Sequence, residues 1–537
     1  MKKNISRSEF HPAPLGAAWL LLAVVLALAS AAGRVQAFEP GTLKLGTIEI
    51  HPSIASEVLY CDNITLSHDA ESDVVFKEVA GLSLLWGRTY VPIQGPRVGN
   101  PFGLTEDFLV GLYLTRLLPL GERGYLGAGR PAVSVGRPIE SAILSGLKLR
   151  RASLSLDYEP QIVRLVEHPE LNSIDHELSF AGDLRFPGGL YVRLDDGFVS
   201  SSAINSFRRE VADLTAAQRS EGIGFQTNLL SFTVGYNFYA DYAVFLTYSN
   251  YLFFLDGFDA SQVLSGLDLP GFDVELSGVD SGTLGSSLQT LGIYFATVLR
   301  RKTTLSLGYI VGRLEGNLDD FGLEVRLPEE LPPLAARIRG DPRDADLQEL
   351  RLGFQRALTS AQSVFGWPVP KTVLEGSFSF QWRDFKRSRL VLEAAGEPFL
   401  ELPFKRESFH EYFFNLRLVS QLRPRTQVRV GVDRYPREAV GGSGNVAIDW
   451  ESFVSVSQGI REKLLFDVSG LVRYSEQPYA DAGGNDFLDY QAEASLSYRI
   501  QTWLQAGVSY QFLARDADNH YNAYRSHRAR LRALVLF

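Results

Sequence analysis

The sequence predicts an all-β fold, a transmembrane antiparallel β-barrel of about 18 strands within a range of roughly 16 to 20, with both chain termini in the periplasm. Three observations lead to this prediction: an N-terminal export signal, strand-length segments in which apolar and polar residues alternate, and a last strand that ends on an aromatic residue. Beyond the signal there is no apolar run long enough for a transmembrane helix, so strands would have to make any membrane crossing.

The N-terminus has the three parts of a cleavable signal peptide. A short basic region comes first, residues 15–32 are almost wholly apolar, and Val35-Gln36-Ala37 supplies small residues ahead of a cleavage site. We therefore expect residues 1–37 to be removed and residues 38–537 to form a single barrel domain. An uncleaved membrane anchor is the alternative, which the apolar run disfavours because it is at the short end for spanning a bilayer.

Segments of roughly ten to fifteen residues alternate between apolar and polar side chains, as a barrel wall with lipid outside and water inside requires. In residues 486–499, leucine, tyrosine and alanine occupy one face of the predicted strand, while Asp489, Glu493 and Arg499 occupy the other. Aromatic residues recur near strand ends, where membrane barrels form interfacial girdles. A soluble sandwich would also alternate, but it would have no lumen in which these charged side chains could converge.

The alternation assigns a set of charged residues to the lumen of the barrel. They are Glu349, Arg351, Glu375, Arg383, Arg417, Arg429, Asp433, Asp489, Glu493, Arg499, Arg528, Arg530 and Arg532. Barrels of this size leave an aqueous channel unless something plugs them, and a lumen with charges of both signs suits hydrated or anionic polymers and small solutes alike. The alternative is that these side chains are simply solvated, or paired across the wall.

The last strand predicts an insertion signal. Val535 and Phe537 share its apolar face, three arginines occupy the opposite face, and the chain stops on the aromatic residue. We expect the barrel-assembly machinery to recognise this end of the chain. The predicted location is the outer membrane of a Gram-negative cell, in contact with its lipid and lipopolysaccharide.

Connections between the predicted strands alternate between short and long, which in such barrels separates the periplasmic side from the outside. The predicted short turns are residues 187–189, 238–242, 299–302, 422–425, 459–462 and 499–501, and the predicted long connections are residues 200–219, 256–285, 315–346 and 386–407. Within the third of these, residues 334–338 predict a flexible segment or a short helix. Residues 87–146, rich in glycine and proline, fall where a short turn is expected and predict an extra hairpin, a periplasmic flap or an inward-folded constriction.

Composition and motifs argue against several classes of function. With 53 basic and 62 acidic residues the formal net charge is −9, which argues against a nucleic-acid partner. No serine has the Gly-x-Ser-x-Gly surroundings of a nucleophile elbow, and no glycine cluster precedes a helix, so we expect neither an enzyme nor a cofactor. Residues 256–285 hold six acidic residues and no lysine or arginine, but no spacing matches a calcium loop and no metal site is predicted.

Short motifs at both ends of the predicted barrel resemble one family. The N-terminal motifs are Ile48-Glu49-Ile50-His51-Pro52-Ser53, Tyr60 before Asp62-Asn63-Ile64, Ser72-Asp73-Val74-Val75 and Ala80-Gly81-Leu82-Ser83-Leu84. The C-terminal ones are Tyr510-Gln511-Phe512, Arg515, Tyr524-Arg525 and Phe537. Together they are similar to the outer-membrane β-barrel porins associated with bacterial exopolysaccharide biosynthesis and export clusters.

The resemblance implies a barrel for the secretion or passage of a polysaccharide, with polysaccharide and exopolysaccharide-export components as partners and no catalytic residues. Two other functions remain open from the residues alone. One is a general diffusion porin, and the other is a structural or adhesive barrel whose extracellular loops bind partners.

Overall fold

A computed structural model describes most of the chain from residue 44 onward. The described residues are 44–66, 70–86, 152–202, 224–238, 242–258, 275–278, 282–299, 303–317, 322–326, 334–341, 343–358, 361–364, 367–370, 372–394, 397–405, 408–423, 426–438, 446–461, 463–476, 486–501, 503–517 and 523–536. The expected signal peptide, the segment 87–146 and Phe537 lie outside these residues. Within them, no helix is long and apolar enough to cross a membrane.

Eighteen long strands of the described chain form one closed antiparallel sheet, which confirms the predicted fold class and strand number. In chain order they are β1 (Ile48–Cys61), β2 (Asp73–Trp86), β3 (Ala152–Leu165), β4 (Ser173–Arg185), β5 (Leu190–Ser202), β6 (Gly224–Phe238), β7 (Tyr242–Phe258), β8 (Gly282–Leu299), β9 (Thr303–Gly316), β10 (Ala345–Ala357), β11 (Thr372–Phe385), β12 (Phe409–Arg423), β13 (Thr426–Glu438), β14 (Val446–Arg461), β15 (Leu464–Glu476), β16 (Phe487–Gln501), β17 (Leu504–Ala517) and β18 (Tyr524–Leu536). A two-residue strand, Lys44–Leu45, folds back onto β1.

The barrel closes where the first strand pairs with the last. Ser53 lies opposite Leu536 and Cys61 lies opposite Arg528, with every residue between them in continuous register. A side chain strengthens this seam just after the end of β1, where the Asp62 carboxylate accepts a hydrogen bond from the His527 backbone N–H at 2.6 Å. No edge of the main sheet is left open among these strands, which is how barrels satisfy their backbone groups in lipid.

The two faces of the barrel wall differ in exposure and in polarity. On β10, Leu350 and Leu352 are 46% and 51% exposed, whereas Glu349, which precedes them and points to the opposite face, is 4% exposed. Side chains on the concave face of a closed sheet converge and bury one another, while those on the convex face remain open. An exposed surface this rich in large apolar side chains is a surface that a bilayer covers. The fold is therefore a transmembrane antiparallel β-barrel.

Connection lengths separate the two ends of the barrel as the sequence predicted. The six connections β4–β5, β6–β7, β8–β9, β12–β13, β14–β15 and β16–β17 span two to four residues each. Five of them overlap the predicted turns, whereas residues 499–501 belong to β16 and the connection that follows is residues 502–503. The start of β1 and the end of β18 lie at this short-turn end. Two longer connections break the pattern there: residues 87–151, and residues 358–371, which hold a small hairpin of Ala361–Val364 and Trp367–Pro370.

Three long connections at the opposite end combine into a second sheet. Its five antiparallel strands are, in spatial order, Glu397–Lys405, Arg387–Ala394, Leu334–Arg339, Gly322–Arg326 and Glu275–Gly278. The expectation of a flexible segment or a short helix over residues 334–338 was wrong, because these residues form a strand paired on both sides. Backbone pairing between loops that are distant in sequence holds the segment extended.

A buried polar cluster joins this second sheet to the barrel rim. The Arg343 guanidinium donates to the Asp341 carboxylate at 2.7 Å and to the Gly285 carbonyl at 2.9 Å. Gly316 N–H donates to the Asp344 carboxylate at 2.9 Å. These contacts connect the ends of β8 and β9 with the residues that enter β10, so the rim has defined positions from which the five-stranded sheet extends.

Candidate functional site

The interior of the barrel carries the candidate site, and its first part is the charged wall on the concave face of β10–β18. Twelve of the thirteen charged side chains predicted for the lumen are described by the structure, Glu375 being the exception. All twelve alternate with the apolar outward residues, and all are buried or half-buried. They belong to six strands, β10–β13, β16 and β18, and are positioned by the two-residue period of each strand.

The centre of the charged wall is a carboxylate held by two guanidiniums. Asp489 on β16 accepts two hydrogen bonds from Arg515 on β17, at 2.7 and 2.9 Å, and a third from Arg473 on β15. The Arg515 guanidinium also lies over the Phe487 ring, 3.8 Å from its centroid. Strand register brings the three together, since Arg473 and Arg515 each lie opposite Asp489 on the neighbouring strands.

Other predicted residues pair in smaller groups. Arg351 contacts Glu349 on the same strand with Nε–Oε1 at 2.6 Å, and Gln381 on β11 approaches the second oxygen of Glu349 at 3.4 Å. Arg417 on β12 approaches Asp433 on β13 at 3.4 Å. Most of this wall therefore consists of charges of opposite sign in contact, at depths where an unpaired charge would be costly.

The closing seam has a different balance of charge. Arg528, Arg530 and Arg532 follow one another on the inward face of β18. Glu57 on β1 lies 3.9 Å from Arg530 and 3.2 Å from Arg532, so one carboxylate serves two guanidiniums. The inward face of β17 and β18 together carries four arginines, Arg515 included, and no acidic residue.

The second part of the interior is a neutral wall formed by β6, β7, β8 and β9. By register, none of their inward positions holds Asp, Glu, Lys, Arg or His. Hydroxyl pairs replace ion pairs there, with Thr233 and Thr247 joined at 3.1 Å and Ser249 and Thr290 joined at 2.7 Å. Sequence reasoning missed this wall, although the absence of charge over four successive strands could have revealed it.

An aromatic cluster completes the neutral wall. Phe245, Tyr294 and Ile310 form a buried cluster with two alanines, and each of the three is at most 2% exposed. The Tyr294 ring lies across Gly292 and Gly308 on the adjacent wall positions, and a Cβ at Gly308 would collide with the ring. Glycine is therefore required where the ring lies flat against the strand.

The neutral wall lies across the barrel from the β15–β18 part of the charged wall. In a ring of eighteen strands, β8 is nine strands from β17 in either direction. The neutral wall thus faces the seam where the arginines outnumber the acids. A positively charged surface therefore lies across the interior from a surface that has no charged side chains.

Several charged residues on the inward face were absent from the set predicted to line the lumen. Arg473, Arg515, Glu57 and Glu451 lie on the inward face and follow the alternation that identified the others.

Val535, predicted for the insertion signal, faces outward between Ile54 and Leu504. No group of three or more His, Cys, Asp or Glu side chains in the described part of the chain is arranged to hold a metal ion.

A closed eighteen-stranded barrel with an apolar outer surface and a charged inner surface belongs to the outer-membrane class of β-barrels by its fold. No protein-family model matches the chain, and no curated protein matches it either. Among solved structures, it is similar to the ferric yersiniabactin uptake receptor FyuA from Yersinia pestis, with a TM-score of 0.41, 8% identity, and coverage of 89% of this chain and 65% of the receptor.

Two further structures show the same level of likeness. The ferric citrate transporter FecA has a TM-score of 0.37 and 8% identity, with 87% of this chain and 60% of that chain covered. OccAB4 from Acinetobacter baumannii has a TM-score of 0.38 and 8% identity, with 92% of this chain and 99% of that chain covered. The chain spans less than two thirds of the length of FyuA and FecA. A likeness this distant assigns no cargo.

Proposed function

We propose that this protein is an outer-membrane channel that lets hydrated solutes cross the membrane. The observation that carries the proposal is the inner surface of a closed eighteen-stranded ring, where charged side chains of both signs alternate with outward apolar ones. Barrels of sixteen to eighteen strands enclose an aqueous channel unless a plug fills them, and a charged inner wall is stable only in contact with water or countercharge.

Exopolysaccharide is the more specific cargo that we propose. Two features support it: the resemblance of the terminal motifs to porins of exopolysaccharide clusters, and an interior with a cationic side opposite a neutral side of hydroxyls and aromatic rings. A hydrated anionic polysaccharide carries charged groups, which suit the cationic side, and sugar rings, which suit the hydroxyls and aromatic rings of the neutral side. The general diffusion porin is the alternative within the same class, and it requires no polymer.

Single-channel conductance of the refolded chain, residues 38–537, in a planar bilayer tests the proposal. We expect stepwise currents that an acidic polysaccharide blocks from one side and that a neutral polymer of equal size blocks less. Steps that are indifferent to both polymers would retain the channel and remove the exopolysaccharide assignment. A silent, correctly folded barrel would contradict the channel and favour an adhesive role, for which the five-stranded sheet at the long-loop end would be the binding surface.

A further inference from the structure

A small cavity opens on the inner wall where β16, β17 and β18 meet. It is a half-open recess of about 40 Å³, and its lining contains three serines, Ser495, Ser497 and Ser509, together with Arg530, Arg532 and apolar surface such as that of Leu534. A cavity of roughly 10–15 Å³ by this measure holds one water molecule, so this one has room for about three. That is the size of one carboxylate, phosphate or sulfate group, and it is too small for a sugar ring.

Small residues keep this cavity open. Gly507 lies on its floor, and a Cβ there would be 3.2 Å from the Ser497 hydroxyl oxygen, closer than an ordinary van der Waals contact. Most other inward positions on these three strands hold larger side chains, such as Glu493, Gln511 and Arg528. The recess therefore exists because four small residues lie beside two long cationic ones. The small residues are Ser495 and Ser497 on β16 and Gly507 and Ser509 on β17, and the cationic ones are Arg530 and Arg532 on β18.

The lining of the cavity is cationic and contains no carboxylate. Glu57, which contacts Arg530 and Arg532, belongs to β1 and approaches them from the far side of β18. Glu159 is the other acid near Arg532, while Asp467 on β15 lies opposite Ser495 and within hydrogen-bonding reach of it, and Glu493 precedes Ser495 on the same face of β16. None of these acids lines the recess.

This distribution differs from that of three other arginines inside the barrel, each of which has a carboxylate of its own. Arg351 contacts Glu349, Arg417 contacts Asp433 and Arg193 contacts Asp195, each with a carboxylate on its own or the adjoining strand. At the cavity, two guanidiniums share one carboxylate, as they do at Asp489, but here both guanidiniums also line a recess that contains serine hydroxyls. Guanidinium and hydroxyl donors arranged around a small recess are the groups that bind oxyanions, because both donate hydrogen bonds and one supplies charge.

We infer that this cavity binds one oxyanion group, a carboxylate, phosphate or sulfate, presented from the barrel interior. The inference rests on the proposed aqueous channel, since the ligand reaches the inner wall through it. The group comes either from a free inorganic anion or from an acidic residue of a passing polymer. Both sources present the same oxygens to Arg530, Arg532 and the serine hydroxyls.

Calorimetric binding to the folded chain in detergent micelles tests the site without requiring conduction. The probes are inorganic phosphate, an oligosaccharide of uronic acid residues and a neutral oligosaccharide of the same length. We expect the first two to bind and the third to show no heat. Binding of the uronate alone would assign the site to a polymer, and binding of both would assign it to the shared oxyanion. Absence of binding by either anion would overturn the inference.

Two variants and a matched control localise the binding. Arg530→Gln is expected to weaken binding about tenfold or more, since it removes a charge-assisted contact. Ser509→Leu fills the recess without changing charge and is expected to abolish binding. Arg351→Gln removes the same charge from β10, eight strands away around the ring, and is expected to change affinity less than about twofold. Equal losses in Arg530→Gln and Arg351→Gln would show a general charge effect and overturn the site.

The same experiment separates this inference from the proposed function. Phosphate binding that Ser509→Leu abolishes, in a barrel that conducts no current, would leave the site intact and contradict the channel. Current steps in a barrel that binds neither anion would retain the channel and remove the site.

Discussion

The neutral wall and the charged wall are built by the same strand geometry but stabilised by different interactions. On β6–β9 the inward face relies on hydroxyl pairs and an aromatic cluster around Tyr294. On β15–β17 it relies on a carboxylate held between two guanidiniums. The difference shows that a barrel interior is not one uniform lining. Each sector has its own sensitivity to substitution, and the predictions below address that difference in order of expected effect.

The largest effect is expected at the ion cluster of the charged wall. Asp489→Asn leaves Arg473 and Arg515 without their carboxylate, and removing one partner of a buried charge cluster costs about 3–5 kcal/mol. Urea unfolding of the barrel in detergent, followed by tryptophan fluorescence, measures the loss. A loss of stability smaller than that caused by Ser249→Ala would show that water inside the barrel already solvates both arginines.

A smaller loss is expected from overpacking the neutral wall. In Gly308→Ala the new methyl group meets the Tyr294 ring, and inserting a methyl into such a site costs roughly 1–3 kcal/mol. Gly470→Ala on β15 is the matched control, because its nearest neighbours are 3.8 Å away. The same unfolding measurement should separate the two variants. Equal stability would mean that the ring moves away from the strand without cost.

The hydroxyl pairs of the neutral wall should contribute less. Ser249→Ala removes the hydrogen bond to Thr290 and is expected to lower the free energy of unfolding by about 1 kcal/mol. Ser452→Ala, at an exposed position on β14, serves as the control and should be neutral. A Ser249→Ala barrel as stable as the wild type would show that water replaces the lost partner.

The smallest change is expected in ion selectivity. Arg429→Gln and Arg528→Gln each remove one positive charge from the charged side of the interior, so the reversal potential in a salt gradient should shift towards cations. Thr227→Ser on the neutral wall should leave it unchanged, because neither side chain carries charge. If neither arginine variant shifts the potential, these side chains do not line the conducting path.

The fold could be predicted closely because its signals are local. Alternation with a period of two sets the faces of each strand, and short polar turns mark where strands end, so the strand number and five of the six short turns followed from the sequence, the sixth being displaced by one residue. The same alternation placed Asp489 and Arg499 on one face. It could not show that Asp489 contacts Arg473 and Arg515, because that depends on the register between three strands.

Features that depend on contacts between distant segments were missed. The five-stranded sheet pairs residues from three separate connections, and no local pattern encodes such pairing. Arg434 is a second case, since alternation places it on the outward face of β13. The structure buries it to 6% exposure between the rings of Tyr412 and Trp450, with Glu411 at 2.9 Å. Neighbouring strands supply all three partners.

The closing seam joins the eighteen described strands into a single folding unit. Cys61 and Ser526 are 465 residues apart in sequence, yet their side chains lie 3.3 Å apart. One edge of the first strand therefore has no partner until the last strand has been synthesised. Contacts between residues so far apart in sequence form slowly. During that delay both ends of the growing sheet offer unpaired backbone to other chains. Loss of β18 alone would make that exposure permanent, so a premature stop near the C-terminus should be as damaging as one near the middle.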